Sequence, residues 1–189
     1  MKDLLLITPP FTQLNTPYPA TAYLKGFLNT KNISSYQIDL GIEVILEIFS
    51  KKGVTQIFNV KPENLSENAQ RIFALKEEYI KTIDEVIAFL QNKKPTLARQ
   101  ICSMNFLPEA SRFNQLDDME YAFGNMGLQD KAKHLATLYL EDLSDYIVEN
   151  IDENFGFSRY AERLGRSANS FDELYEKLLS EKTFVDNFT

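Results

Sequence analysis

The first forty residues carry the pattern that most constrains the fold, because they have the order strand, proline-rich loop, helix and second strand. The four segments cover residues 4–8, 9–18, 19–31 and 35–40. This order is typical of the start of a parallel α/β ligand-binding domain. No comparable strand clearly follows, and two parallel strands do not form a stable sheet alone, since a parallel sheet needs both faces covered and its edges protected. We therefore expect this sequence to be part of a larger domain.

Each of these segments has its own local signal. Residues 4–7 are a continuous apolar run, which is typical of a strand buried on both faces. Pro9 and Pro10 force an extended exit from that strand, because each ring fixes φ. Pro19 suits a first helical turn, and apolar residues follow it at helical spacing. Alternating apolar residues over 36–40 predict a second strand, placed next to the first by a right-handed crossover.

The pattern after Gly41 is predominantly helical. We predict an α/β, helix-rich chain, with a βαβα segment over residues 1–60 and a helical region over residues 61–189. The helical region either packs on the first segment or forms one compact domain with it. Helices are predicted over residues 42–49, 65–91, 95–103, 128–153 and 171–179, with one or two turns over 158–164 and irregular structure over 104–126.

Three short segments of this region carry further local signals. Lys51, Lys52 and Gly53 favour the C-terminus of the helix before them, since cations and glycine suit that position. Residues 54–60 fit a third short strand or a loop, and we favour the loop. Ser170, with Glu173 three residues later, has the spacing of a capping box.

Composition and charge exclude several classes of function. Cys102 is the only cysteine, so the chain has no internal disulfide and no metal site built from several of its own cysteines. The net charge is −7, yet residues 1–60 hold five Lys and four Asp or Glu, so the acidity lies in residues 61–189. Such a region repels phosphate backbones, and no segment approaches the roughly 18 apolar residues of a membrane span. We expect a cytoplasmic protein that binds neither nucleic acid nor membrane.

The two residues most often used in catalysis have simpler structural interpretations here. His134 is the only histidine, and the positions four residues away are Asp130 and Leu138, which do not make a metal-binding pair. We interpret it as a surface or partly packed histidine. Cys102 has no histidine nearby in sequence to activate it, so a buried small apolar residue is the expected role.

Carboxylates recur every three or four residues along the predicted helix over 128–153. They are Glu141, Asp145, Glu149 and Asp152 or Glu153. A di-metal carboxylate site needs inward carboxylates paired with histidines. This face lies opposite the apolar one, so we interpret it as a solvated stripe.

The loop over residues 9–18 remains as the candidate binding segment. Prolines follow the first strand in place of G-x-G-x-x-G or a P-loop, which argues against dinucleotide binding of the usual kind. In open α/β sheets, ligands bind outside the carboxyl ends of the strands, where this loop begins. The loop either forms one wall of a ligand site or is a rigid connector without a ligand.

Four runs of residues near the N-terminus resemble a known family. They are Leu5-Leu6-Ile7-Thr8-Pro9-Pro10, Pro17-Tyr18-Pro19-Ala20, Tyr23-Leu24-Lys25-Gly26-Phe27-Leu28 and Gln37-Ile38-Asp39-Leu40-Gly41. Over about forty-five residues the chain resembles the start of cobalamin-binding-type radical S-adenosylmethionine proteins, in particular the group labelled after the anaerobic magnesium-protoporphyrin monomethyl ester cyclase. The helical remainder is similar to an insertion that some members carry before their sheet resumes.

This resemblance implies a Rossmann-like, cobalamin-domain-type α/β segment that precedes a radical S-adenosylmethionine domain. It implies cofactor contacts from Thr8, Pro9, Pro10, Phe11 and Tyr18. The Asp-x-His-x-x-Gly motif, whose histidine ligates cobalt in many cobalamin domains, is missing here as it is in many members of the radical family, so any cobalamin would be bound without a histidine ligand. The Cys-x-x-x-Cys-x-x-Cys motif is missing too, so an iron–sulfur cluster and S-adenosylmethionine would belong to a downstream domain.

Two hypotheses about function follow from different classes. In the first, the chain is the non-catalytic N-terminal accessory part of such an enzyme, inactive alone, whose partner is the remainder of the same polypeptide. In the second, it is a helical protein-interaction module without a cofactor, which forms a homo-oligomer through the open edge of its sheet. A binder of a small anion is a weaker third possibility, for want of a glycine- or serine-rich loop. The substrate and the reaction stay open.

Overall fold

The computed structural model describes residues 3–10, 19–103, 105–118, 127–153, 155–157, 170–180, 182 and 184–188. Within these residues the chain is rich in helix and contains a small parallel sheet of two strands. The chain divides into two compact units, Met1–Glu47 with Gly156–Thr189, and Ile48–Phe155. The predicted boundary after residue 60 differs from this division, because residues 51–59 pack with the helices of the second unit.

The first unit begins with β1 (Leu4–Thr8), α1 (Ala20–Thr30) and β2 (Ser35–Asp39). These bounds confirm the predicted order of strand, helix and strand. The strands are parallel, in register from the Leu4–Ser35 pair to the Thr8–Asp39 pair. α1 packs against both strands, and its Lys25 Nζ donates a hydrogen bond to the Ser35 carbonyl at 3.3 Å.

A left-handed residue turns the chain from α1 into β2. Asn32 has a φ of 54°, which asparagine tolerates better than most other residues. The Ile33 N–H then donates to the Leu28 carbonyl at 3.1 Å, and the Asn32 N–H donates to the Asn29 carbonyl at 3.1 Å. These bonds satisfy carbonyls that the end of a helix otherwise leaves unpaired.

The sheet leaves much of its apolar surface exposed. Leu5, Ile7 and Tyr36 are 59%, 48% and 60% exposed. They share one side of the sheet, because Leu5 pairs with Tyr36 and Ile7 lies two residues further along β1. We call these three residues the open face. The expectation that residues 4–7 are buried on both faces is therefore wrong for this chain by itself, because α1 covers only one side.

The remaining helices are now given with their bounds. They are α2 (Leu40–Ile48), α3 (Lys51–Asn59), α4 (Glu67–Ala74), α5 (Lys76–Leu90), α6 (Ala98–Ile101), α7 (Leu128–Asn150) and α8 (Phe171–Leu179). Short 3-10 helices cover Pro95–Leu97, Ser111–Asp118 and Val185–Phe188. The helices predicted over 128–153 and 171–179 are confirmed, and the Glu173 N–H donates to the Ser170 hydroxyl at 3.2 Å as the capping box predicts. The turns predicted over 158–164 lie outside the described residues.

α7 is the central helix of the second unit. It contacts α4, α5, α6 and the 3-10 helix Ser111–Asp118. Its buried aromatic residues pack in the core with tilted rings, whose centroids are 4.9 Å apart for Tyr139 and Tyr79 and 5.1 Å apart for Tyr146 and Phe58. Leu135, Leu143 and Ile147 are buried on the same face, and Leu138 is half-buried.

The prediction of a loop over residues 54–60 is wrong, because residues 54–59 belong to α3 and Val60 is its C-cap. Lys51, Lys52 and Gly53 open this helix rather than close the previous one. The Ser50 side chain caps it by accepting a hydrogen bond from the Gly53 N–H at 3.0 Å, which satisfies an otherwise unpaired donor of the first turn. Val54, Ile57 and Phe58 are buried at helical spacing.

The predicted long helix over residues 65–91 is two helices, α4 and α5. The break is the single residue Leu75 (φ −93°, ψ 13°). Its N–H is shared between the carbonyls of Arg71 at 3.2 Å and Ile72 at 3.1 Å, a local tightening toward 3-10 geometry. Neither proline nor glycine occurs near this position, so the sequence gives no local signal for the break.

Substitution of Ser50 tests the reassigned helix α3. We expect Ser50→Ala to lower the free energy of unfolding by about 1 kcal/mol, because it removes the side-chain cap. Ser50→Asp keeps an acceptor at the same position and serves as the matched control, with little loss. Urea unfolding followed by circular dichroism measures both. An unchanged midpoint for Ser50→Ala would contradict the capping role.

Candidate functional site

The sequence predicts a ligand site at the carboxyl ends of β1 and β2. Thr8 and Asp39 are the last register pair of the sheet, so their side chains point to the same face. Pro9, which follows β1, is exposed, and Pro10 is half-buried. The other two predicted contact residues, Phe11 and Tyr18, lie outside the described residues. The structure thus places three of the five predicted residues at the carboxyl end of the sheet.

Thr8 is the unusual residue at this end of the sheet. It is 2% exposed, and its hydroxyl has no hydrogen-bond partner among the described residues. A buried hydroxyl without a partner destabilises a fold by roughly 1–3 kcal/mol. Such a group is a candidate contact for a polar ligand, which would provide the missing hydrogen bond.

Asp39 has a structural role at the same end of the sheet. Its Oδ1 accepts a hydrogen bond from the Ile42 N–H at 3.3 Å. Asp39 directly precedes α2, so the carboxylate occupies the N-cap position of that helix. The acid at the end of the second strand is therefore engaged in starting α2.

His134 and Cys102 do not form a catalytic site in the described part of the chain. His134 is half-buried on α7, and no group of three or more described His, Cys, Asp or Glu residues is arranged to hold a metal ion. Cys102 is also half-buried rather than fully buried as predicted, and its thiol lies 3.6 Å from the Leu128 carbonyl oxygen. Burial raises the pKa of this thiol, opposed by the nearby Lys131, so the reactive thiolate is disfavoured.

The carboxylates of α7 hold neighbouring segments of the second unit. Arg112 donates to both carboxylate oxygens of Asp145, at 2.9 and 2.8 Å, and to Glu141 at 3.1 Å. Glu149 accepts hydrogen bonds from the N–H and the hydroxyl of Ser66, the latter at 2.7 Å. The interpretation of a solvated stripe is therefore incomplete: these side chains are partly exposed, but they also connect α7 to two other segments.

Sequence reasoning misses one acidic residue of α7. Asp142 is fully buried, although the neighbouring acids on the helix are not. It lies three residues after Tyr139 and four before Tyr146, both of which are buried. This spacing places Asp142 inside the apolar stripe of the helix, so the periodicity already contained the signal.

Comparisons with known proteins do not extend these observations. No family model, curated protein or solved structure matches the chain. The resemblance of the N-terminal residues to radical S-adenosylmethionine proteins therefore stays a prediction. In the described residues, no helix has both the length and the apolar character needed to cross a membrane.

Replacement of the buried Thr8 hydroxyl tests whether it lacks a partner. We expect Thr8→Val to raise the free energy of unfolding by about 1 kcal/mol, because valine keeps the shape and removes an unpaired polar group. Thr30→Val is the matched control, since the Thr30 hydroxyl donates to the Phe27 carbonyl at 2.7 Å, and it gives no gain. Urea unfolding measures both. A loss of stability in Thr8→Val would mean that the hydroxyl is paired.

Proposed function

We propose that this chain is an accessory part of a larger α/β cofactor domain, as in cobalamin-binding-type radical S-adenosylmethionine proteins. In this proposal, β1, α1 and β2 are the Rossmann-like start of a domain whose further strands and second helical layer come from the remainder of the same polypeptide. The observation that carries the proposal is the open face. Three large apolar residues, Leu5, Ile7 and Tyr36, are about half exposed or more on a parallel sheet, a type of sheet found almost only with both faces covered.

The edges of the sheet support the same proposal. The Leu4 N–H donates to the Ser34 carbonyl at 3.1 Å, so the backbone groups of Leu4 point toward β2. In a parallel ladder, every second residue of a strand bonds to the same neighbouring strand. The backbone groups of Leu5 and Ile7 therefore point away from β2. They are available to a further strand, and main-chain pairing of this kind is a common mode of association.

In this proposal, the strand ends would hold a corrin through its amide side chains rather than through cobalt. The buried Thr8 hydroxyl has no partner among the described residues, and an amide on the rim of a corrin would provide one. Pro9 and Pro10 follow directly, where a ligating histidine would otherwise occur. A corrin would supply cobalt-centred chemistry, and the residues of this chain would contribute binding and orientation.

The radical step itself would require residues that this chain does not have. A cluster of the radical S-adenosylmethionine type needs three cysteines, and Cys102 is the only one here. We therefore assign this chain no catalytic residue. The iron–sulfur cluster, S-adenosylmethionine and the choice of substrate would belong to the rest of the enzyme.

A helical interaction module is the second candidate, and the surface of α8 favours it. Phe171, Tyr175 and Leu179 are large apolar residues spaced by four, and all three are exposed. The rings of Phe171 and Tyr175 stack with centroids 6.2 Å apart. An amphipathic helix with such a stripe can dock into the groove of another protein. The natural coding sequence separates the two candidates, since further strands and a three-cysteine motif belong only to the first.

Lysine substitutions on the open face test the completion of the sheet. In the complete gene product we expect Leu5→Lys and Tyr36→Lys each to lower the free energy of unfolding by about 2 kcal/mol or more, because a charge would be buried. In the present chain the same changes have effects within about 0.5 kcal/mol, since these positions are exposed. Urea unfolding of both proteins measures the difference.

Tyr23→Lys on α1 provides the matched control for these substitutions. Tyr23 is an exposed aromatic residue of the same unit, but it does not lie on the sheet. We expect it to have a small effect in both proteins. Equal and small effects of all three substitutions in the complete gene product would contradict the proposal that the open face is covered.

Titration of the complete gene product with hydroxocobalamin tests the cofactor. We expect a change in the corrin absorption spectrum without the signature of histidine coordination, and weaker binding by Thr8→Val, because the hydroxyl contact is lost. Thr30→Val is again the control and binds like the unmodified protein. The absence of any spectral change in the complete gene product would exclude the cofactor.

A further inference from the structure

Asp142 is a carboxylic acid inside the core of the second unit. It is fully buried on α7, and neither carboxylate oxygen has a hydrogen-bond partner among the described residues. The backbone amides of Ala110 and Arg112 lie near enough to lower its pKa, although they are outside hydrogen-bond geometry. A buried carboxylate without a full set of donors is strongly disfavoured in its charged form.

The charges around Asp142 do not balance when it is ionised. The guanidinium of Arg112 is already shared by Asp145 and Glu141, through contacts of 2.8 to 3.1 Å. One cation would then face three carboxylates. Because Arg112 bonds to the other two, the charge of Asp142 is the one left without a direct partner.

The groups that approach Asp142 from the other packed helices do not supply the missing charge. Tyr79 of α5 has a buried hydroxyl without a partner among the described residues. Burial and the charge of Asp142 raise the pKa of this hydroxyl, and Arg71 of α4 opposes the effect. A neutral Tyr79 phenol and a neutral Asp142 carboxylic acid can lie side by side without charge repulsion. An ionised Asp142 would be a buried negative charge close to other carboxylates, which is unfavourable.

The segment that faces Asp142 is held by a 3-10 helix rather than by a long α-helix. Residues 105–118 contribute Leu107, Ala110 and Phe113 to the core and contact α7 through the 3-10 helix Ser111–Asp118. Hydrogen bonds of 3-10 geometry are weaker than those of α-helices. Segments with few such bonds open at lower free energy than long core helices, so water reaches Asp142 most readily here.

We propose that Asp142 is a pH-operated latch that fastens residues 105–118 to α7. The protonated acid keeps the segment closed, and ionisation of Asp142 loosens it so that water solvates the carboxylate. Residues 105–118 become the mobile element, while α5 and α7 stay packed. The half-exposed ion pairs of Arg112 with Glu141 and Asp145 join the mobile element to the fixed helix.

The direction of the pH dependence follows from the burial. Desolvation raises the pKa of Asp142 from 3.8 to about 6, partly opposed by the backbone amide and the charge of Arg112. The protonated form is therefore favoured in the folded state, and its stabilising effect is lost as pH rises through about 6. The equilibrium constant for opening increases roughly 10-fold between about pH 5 and about pH 7.5.

Hydrogen exchange at these two pH values tests the latch, after correction for the intrinsic exchange rates. We expect the protection of amides in 105–118 to fall roughly 10-fold at the higher pH, with a smaller change in α5. Asp142→Asn keeps the shape without the charge, and we expect it to remove this pH dependence. Glu153→Gln, which changes an exposed acid just beyond α7, is the matched control and keeps it.

A direct titration makes the test independent of whether Asp142→Asn folds. Carbon-13 NMR of the Asp142 carboxyl in the unmodified protein is expected to show a midpoint near 6. A midpoint below about 4.5, which is normal for an exposed aspartate, would overturn the proposal. The proposal would also be overturned if a folded Asp142→Asn variant kept the pH dependence of the unmodified protein.

Discussion

A pair of parallel strands has two apolar faces and two hydrogen-bonding edges, and one crossover helix covers only one of those faces. In the first unit this leaves the open face exposed, and α1 has no buried residue. The second unit has no such deficit, because α7 contacts helices on several sides and its aromatic residues fill the space between them. The chain therefore combines a unit with a filled core and a unit whose sheet has an exposed apolar face. This contrast is the physical reason for proposing that the sheet associates with further structure.

α7 organises the second unit through two different faces. Its apolar face buries Tyr139 and Tyr146 against α4 and α5, with the Tyr139 hydroxyl donating to the Tyr79 carbonyl at 3.1 Å. Its acidic face bonds to Ser66 and Arg112. Apolar burial supplies most of the stability in such a core, while the partly exposed ion pairs contribute little each. Their effect is to fix which segments lie beside α7.

The sequence predicted those elements whose signals are local. β1, β2, α1, α7 and α8 lie within a few residues of the predicted bounds, because strand and helix periodicities and the Ser170 cap act over one or two turns. α3 was predicted incorrectly, since Lys51 to Gly53 resemble a helix end when the cap at Ser50 is overlooked. The break at Leu75 has no residue type that announces it. The apolar spacing continues through this position, so the periodicity alone predicts one helix.

The candidate site also has some features that the sequence predicts and others that depend on the fold. The topology of a strand followed by a crossover places Thr8 and Pro9 at the carboxyl end of the sheet, so their position was predictable. The burial of the Thr8 hydroxyl and the use of Asp39 as a cap were not, because each depends on groups brought together by folding. Asp142 shows the distinction most clearly. Helical spacing puts it on the buried face, but whether a buried acid is neutral depends on how many donors surround it in three dimensions. The Arg112 guanidinium already bonds to two other acids, and this arrangement of charges around Asp142 is a property of the fold.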